Sequence, residues 1–435
     1  MAETAVPKRA LDPRYRQIRA QSEMLCEPLE TEDYVIQSMP DVSPTKWHLA
    51  HTSWFFQTFV LPAAGIELPD IEPTYAYLFN SYYNAVGPRH CRPLRGLLSR
   101  PTVDQVYAYR HLIDDAMGKL FERGVPEDVM PLIEVGLQHE QQHQELMLTD
   151  IKHVFSSNPL DPMYRALPAP DDAKPRALGW CRYDEQVTTI GIDPGSGFAF
   201  DNEHPLHRVL IHPFELADRL VTCGEYLEFM DDGGYEQASL WLSEGWATAQ
   251  SEHWQAPLYW RRAEDGWQLF TLAGVRKVAA HEPVCHLSYF EASAFAEWAG
   301  CRLPREAEWE LAARGSRIDG NFVEQRRYHP QALRDETLPS NGPLRDVSAG
   351  SRPSAPAQMF GDVWEWTMSA YAPYPGYRPL EGALGEYNGK FMCNQFVLRG
   401  GSCATPESHI RPTYRNFFPP DARWQFTGLR LARDA

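Results

Sequence analysis

The run Leu137-Gln138-His139-Glu140-Gln141-Gln142-His143-Gln144-Glu145 carries two histidines four residues apart. On a helix such residues share a face, so His139 and His143 can point two imidazoles at one ion, and imidazole suits a transition metal. The same run satisfies H-E-x-x-H, the zinc-protease pattern in which the glutamate, here Glu140, is the general base. No HxxGxxH continuation follows it. A third imidazole is available upstream in Ser43-Pro44-Thr45-Lys46-Trp47-His48-Leu49-Ala50-His51, where His48 and His51 lie three apart and both can face inward. One of them completes a three-histidine site. His51 is taken as that ligand, with His48 as the next candidate.

For these side chains to meet, their segments must be packed helices. Apolar residues recur at three- and four-residue spacing near 12–29, 43–61, 102–122 and 127–156, with Asp41-Val42-Ser43-Pro44 as a start signal for the second. Four such segments make a bundle. The second and third are separated by some forty residues rich in Tyr, Asn, Gly, Pro and Arg, longer than most structural connections and therefore a candidate functional loop. Residues 158–174 are dense in proline and acid and read as an interdomain connector, which places the domains at 1–165 and 166–435. Beyond it the texture is short strands, Gly and Pro turns and most of the tryptophans, with short helices near 222–231 and 289–299 and a polar surface insertion near 316–357. The fold class expected is α+β in two domains.

Composition narrows the functions. A chain of 435 residues with 43% hydrophobic and 23% charged residues can bury more than one core, which excludes a disordered or single-module protein. Its 41 Lys+Arg against 58 Asp+Glu leave a net charge of −17, which repels nucleic acid and anionic membranes, so neither is an expected partner. The first thirty residues hold no signal-peptide core and no segment approaches a bilayer span, so a cytoplasmic location is expected. The eight cysteines form no CxxC pair, which argues against a zinc ribbon or disulfide scaffold. The oligomeric state stays open.

The combination of SPxxWxLAH, HEQQH-x-E, DGGY, EPVxHLSYFEASAFAEWAGxRLPxEAEWE, GDVWEWT, RGGS and QFTGLRLA resembles the ergothioneine-biosynthetic sulfoxide synthases over nearly the whole chain. The resemblance implies an N-terminal DinB-like four-helix bundle followed by a domain of the formylglycine-generating-enzyme type, a C-type-lectin-like fold. It implies that His51, His139 and His143 hold Fe(II), and that the substrates are hercynine, a cysteine thiol and O2. It further implies that Gln142 contacts the hercynine imidazole and that Asn416, in Arg411-Pro412-Thr413-Tyr414-Arg415-Asn416-Phe417-Phe418-Pro419, binds the betaine. Phe417 stands where many relatives have Trp, and an aromatic wall there attracts a quaternary ammonium.

Two departures from that family carry information. Relatives that use γ-glutamylcysteine place an Asp and, four residues later, an Arg where this chain has Phe418 and Ala422, so free L-cysteine is the expected thiol; Arg423 lies one position off. Relatives also carry Tyr-x-x-Tyr where this chain reads Leu384-Gly385-Glu386-Tyr387, keeping only the later tyrosine. A substitute proton donor is sought first in Tyr82 and Tyr83 of the long loop, which also carries Arg89, a partner for the cysteine carboxylate, and next in Tyr371 or Tyr374. Alternatives remain: the same reaction with γ-glutamylcysteine; an ovothiol-type synthase, whose added methyltransferase domain 435 residues leave no room for; a formylglycine-generating oxidase, which needs a cysteine pair after RGGS where only Cys403 follows; a zinc hydrolase; and a metal-stabilised binding protein.

Overall fold

The structure is a computed structural model that describes residues 11–168, 177–333 and 355–435. It falls into two compact units, one comprising 1–165, 194–198 and 378–390, the other 166–193, 199–377 and 391–435. The first unit thus takes in two short segments from beyond residue 165, 194–198 and 378–390. For the second of these segments the reason is a set of polar contacts with the long bundle loop. The Glu386 carboxylate accepts the backbone N–H groups of Asn84 (3.1 Å) and Ala85 (2.7 Å), and Lys390 binds both Glu386 and the Tyr82 carbonyl.

The first unit is helical. Helix α1 spans Leu11–Met24, α2 Thr45–Phe55, α3 Leu61–Ala63, α4 Tyr75–Leu78, α5 Val103–Arg123 and α6 Met130–Ser156. The first helix stops five residues before the expected end, ahead of Pro28, because the residue before a proline is pushed out of the helical region. Thr102 caps α5 reciprocally with Gln105, and Gly124 ends it at a φ of 90°. The start signal expected before α2 works differently. Its cap position is Pro44, which makes no side-chain cap, while the N–H of Ser43 is satisfied by the Asp150 carboxylate of α6 at 2.8 Å.

One π-helical turn, Phe56–Val60, follows α2 directly. It packs on α6 at Gly136, where a Cβ would lie 2.8 Å from the Phe56 ring, so only a bare backbone permits this approach. The bundle centre is ionic. Glu140 accepts from Arg19 (2.8 Å), Ser22 (2.7 Å) and Arg110 (2.6 Å), and Arg19 also reaches Asp114 (2.7 Å), so α1, α5 and α6 are tied by fully engaged buried charges. Such a network specifies register, since any misalignment strands a charge in the interior. The long loop between α2 and α5 is partly ordered by α4 and a 3-10 turn at Arg92–Leu97.

The second unit mixes small sheets with short helices. Its strands are β1 Trp180–Tyr183, β2 Gln186–Ile190, β3 His207–Ile211, β4 Phe214–Ala217, β5 Trp260–Ala263, β6 Gly266–Thr271, β7 Gly274–Lys277, β8 Trp364–Ala370, β9 Phe396–Arg399, β10 Asn416–Phe418, β11 Thr427–Gly428 and β12 Ala432–Asp434. They pair as β1-β4-β12, β10-β9-β8-β11, β2-β3 and β5-β6-β7. Helices α7 (Cys223–Asp231) and α9 (Tyr289–Trp298), both expected from the sequence, begin with capping boxes at Thr222/Glu225 and Ser288/Glu291. Helices α8 (Ser243–Ser251) and α10 (Glu306–Ala313) were not foreseen. Buried pairs such as Arg430 with Glu365 (2.8 Å) and Arg423 with Glu291 (2.8 Å) anchor the core. Residues 334–354 of the expected 316–357 insertion and 169–174 of the 158–174 connector lie outside the described residues. Among the described residues no helix is long and apolar enough to cross a membrane.

Candidate metal centre

Helix α6 presents His139 and His143 one turn apart, and α2 brings His51 against them; all three are buried. One ring nitrogen of each lies within 4.8 Å of the others. The Nε2 atoms of His51 and His139 are 3.1 Å apart. Two imidazole nitrogens bound to one ion at about 2.1 Å and at right angles stand about 3.0 Å from each other, so this pair already has the spacing of two adjacent ligands.

The surroundings set which nitrogen of His51 is available. Its Nδ1 faces the Phe79 carbonyl at 2.6 Å and must donate there, which leaves the lone pair on Nε2. Trp47 and Trp54 stack on the ring at centroid distances of 4.6 and 5.5 Å and hold its plane. Burial, with His139 adding to it, keeps His51 well below the usual histidine range, and burial does the same for His143. For His139 burial pulls the value down to about 3, against the opposing pull of Glu140. Three neutral imidazoles, each with a ring nitrogen directed at one point, are what a borderline transition metal binds. The residues fit a metal ion.

Glu140 is not the base of a zinc hydrolase. Its carboxylate is fully buried and points to Arg19, Ser22 and Arg110. Burial alone would raise its pKa, but Arg110 and Arg19 hold it down to about 2. An H-E-x-x-H string puts the glutamate about 100° round the helix from the first histidine, and here that face is the ionic centre of the bundle.

Other expected residues of the first unit gather near the histidines. Tyr387, 5% exposed, donates its hydroxyl to Oε1 of Gln142, and its ring lies 5.9 Å from that of His139. Tyr82 stacks on Tyr83 at 4.6 Å and meets Tyr387 edge-on at 6.3 Å. Tyr83 is wholly buried against Trp54 and Phe59, held by reciprocal bonds between its backbone and Asn80. Its hydroxyl makes no well-formed hydrogen bond, with Tyr82 as its polar neighbour, and burial drives its pKa well up. Arg89 is exposed, and its Nη1 donates to the Ser81 carbonyl at 2.7 Å.

The arginine that the sequence did not single out is Arg95. It is 2% exposed, lies 3.4 Å over the Trp47 ring, and donates to Ser43 Oγ at 2.9 Å. Burial, reinforced by Arg92 and Arg89, lowers its pKa to about 8. His48, the next ligand candidate of the sequence, instead lies 3.0 Å from Asp150, a residue the sequence did not single out although it stands seven residues after His143 and so two turns along the same face.

The remaining expected residues belong to the second unit. Asn416, Phe417 and Phe418 form β10, which pairs with β9. The Asn416 amide oxygen accepts the Phe417 N–H at 2.9 Å, and Phe417 stacks on Tyr371 at 4.0 Å. Phe418 packs edge-on to Trp424, and Ala422 is buried. The hydroxyls of both reserve tyrosines are engaged, Tyr371 with Asn202 (2.9 Å) and Tyr374 with Arg399 (3.0 Å). Arg423 is committed to Glu291 and the Ala256 carbonyl. Cys403 is buried.

Comparison with known proteins follows the same division. Residues 14–147 match the DinB superfamily, and 181–435 match the sulfatase-modifying factor enzyme 1-like domain. The chain is 34% identical to the hercynine oxygenase of Mycobacterium tuberculosis, over 91% of this chain and 92% of the relative. It is 33% identical to the hercynine oxygenase of Mycolicibacterium thermoresistibile, over 100% and 97%. The formylglycine-generating enzyme of Streptomyces coelicolor is 28% identical over 63% of this chain and 95% of its own. A helical unit bearing three converging histidines, joined to a sulfatase-modifying-factor-type unit and similar over nearly its full length to such relatives, places this chain in the hercynine oxygenase family.

Proposed function

We propose that the protein is an iron(II)- and O2-dependent oxidoreductase, a sulfoxide synthase that joins C2 of the hercynine imidazole to the sulfur of L-cysteine in ergothioneine biosynthesis. The observation that carries this reading is the buried cluster of His51, His139 and His143, all held neutral. The reaction balances as hercynine plus cysteine plus O2 giving the sulfoxide and water: the C2–H and S–H bonds break, C–S and S–O bonds form, and the two hydrogens leave with the second oxygen atom. Iron(II) held by three neutral imidazoles supplies a centre of undiminished positive charge that favours a thiolate and reduces O2.

The chain's own residues supply the rest. Tyr387 orients the Gln142 amide beside His139, the position proposed to hold the hercynine imidazole. The Tyr83 hydroxyl, buried without a well-formed bond, is proposed as the proton donor toward oxygen, with Tyr82 stacked on it. Free cysteine is favoured over γ-glutamylcysteine because Phe418 and Ala422 offer no charge and Arg423 is already paired with Glu291.

The test is to load the protein anaerobically with Fe(II), add hercynine with cysteine or with γ-glutamylcysteine, admit air, and follow product mass. A sulfoxide with cysteine at a kcat/KM at least about tenfold above the other thiol, about 1.4 kcal/mol in the transition state, is expected. No sulfoxide with either thiol would sink the function, and a ratio favouring γ-glutamylcysteine would sink the thiol assignment.

A further inference from the structure

Two further side chains, His48 and Asp150, stand in line behind His143. Its Nδ1 lies 2.8 Å from Nδ1 of His48, and Nε2 of His48 lies 3.0 Å from Oδ2 of Asp150. Both residues are buried, His48 at 2% and Asp150 at 3% exposure. The same Asp150 oxygen accepts the Ser43 N–H at 2.8 Å, and Ser43 Oγ accepts from Arg95, so the carboxylate sits at the end of α2 with a cation two bonds away.

We propose that His48 and Asp150, neither of them a metal ligand, form a positioning relay that holds His143 in the tautomer and pose a metal requires. The direction of each bond follows from the inventory of donors. An ionised carboxylate only accepts, so His48 Nε2 donates to Asp150. A neutral His48 then has its lone pair on Nδ1, which accepts from His143 Nδ1–H. That leaves the His143 lone pair on Nε2, the outcome the Phe79 carbonyl achieves for His51 by a single bond. The outer partner of one ligand is thus a backbone carbonyl on the long loop, and of another an Asp–His pair spanning α2 and α6.

The proposal rests on reading the three histidines as a metal site, and the experiment separates the two. Metal-free protein is titrated anaerobically with Co(II), whose visible absorption reports both affinity and ligand set, for the parent, Asp150→Asn, His48→Gln, His48→Leu and the Asp150→Asn/His48→Leu double variant. The parent is expected to take one Co(II) per chain. Asp150→Asn and His48→Leu should each weaken binding about 10- to 100-fold while keeping the parent's spectrum at saturation. His48→Gln, whose amide can donate to Asp150 and accept from His143, should recover most of the affinity. The double variant should be no weaker than the weaker single one, because the two residues act in series. A parent that binds no Co(II) overturns the metal reading and the relay with it. A parent that binds while Asp150→Asn binds equally well overturns the relay alone. Loss of the parent's saturated spectrum in His48→Leu makes His48 a ligand and overturns the relay as well.

Discussion

The Nε2 atoms of His51 and His139 face each other across 3.1 Å inside a bundle that holds both rings neutral. Two such nitrogens can share a proton or a cation, but two bare lone pairs at that distance repel. The cluster is therefore arranged for something between its rings, and the third histidine makes a metal ion the best occupant.

Replacing His51, His139 or His143 by Ala removes one of three converging donors, so each variant should lose tightly bound iron and sulfoxide formation together. Metal analysis after gel filtration reads the first, and product mass the second. Stoichiometric iron in His51→Ala protein would remove that residue from the ligand set.

Glu140→Ala leaves Arg19 and Arg110 buried beside an empty position. Breaking a buried pair on one side costs about 3–5 kcal/mol, so the urea midpoint of the first unit should fall steeply. A hydrolytic base would show the reverse pattern, with stability kept and activity lost. Unchanged stability in this variant would contradict the structural role assigned here.

Tyr83→Phe keeps the ring that packs on Trp54 and Phe59 and removes only a hydroxyl without a well-formed bond. Stability should stay within about 1 kcal/mol of the parent, while sulfoxide formation falls and direct oxidation of cysteine to the sulfinate rises. The product ratio by mass spectrometry decides it, with Tyr82→Phe in parallel. If both variants keep the parent's ratio, the loop donor is wrong.

Asp362 gives the second unit a pH dependence. Burial raises its carboxyl to about 6 from 3.8, despite bonds from Asn321, the Gln331 N–H and Gln358. Between these values the folded protein binds more protons than the unfolded chain, so this group's contribution to stability falls as pH rises from about 4 to about 6 and is flat above. Comparing unfolding of the parent and Asp362→Asn at pH 4.5 and 6.5 isolates the effect. The variant should lack this fall, and identical pH slopes would contradict it.

Local geometry was legible in the sequence. A spacing of four on a long amphipathic helix puts His139 and His143 on one face whatever surrounds them. Bundle and α+β texture followed from periodicity for the same reason. Choices between near-equivalent residues were not legible. His48 and His51 both face inward, and only the approach of α6, with Asp150 on one side and the Phe79 carbonyl on the other, sets His51 against His139 and His48 between His143 and Asp150. Glu140 matches a catalytic string, yet two arginines from α1 and α5 claim it. Arg89 and Arg95 look alike along the loop, and the fold exposes the first and buries the second. Tyr387 reaches Gln142 across 245 residues of chain. Spacing along a helix is settled by bonds between near neighbours, whereas the partner of a side chain depends on which distant element packs beside it, and that is decided by the energy of the whole core.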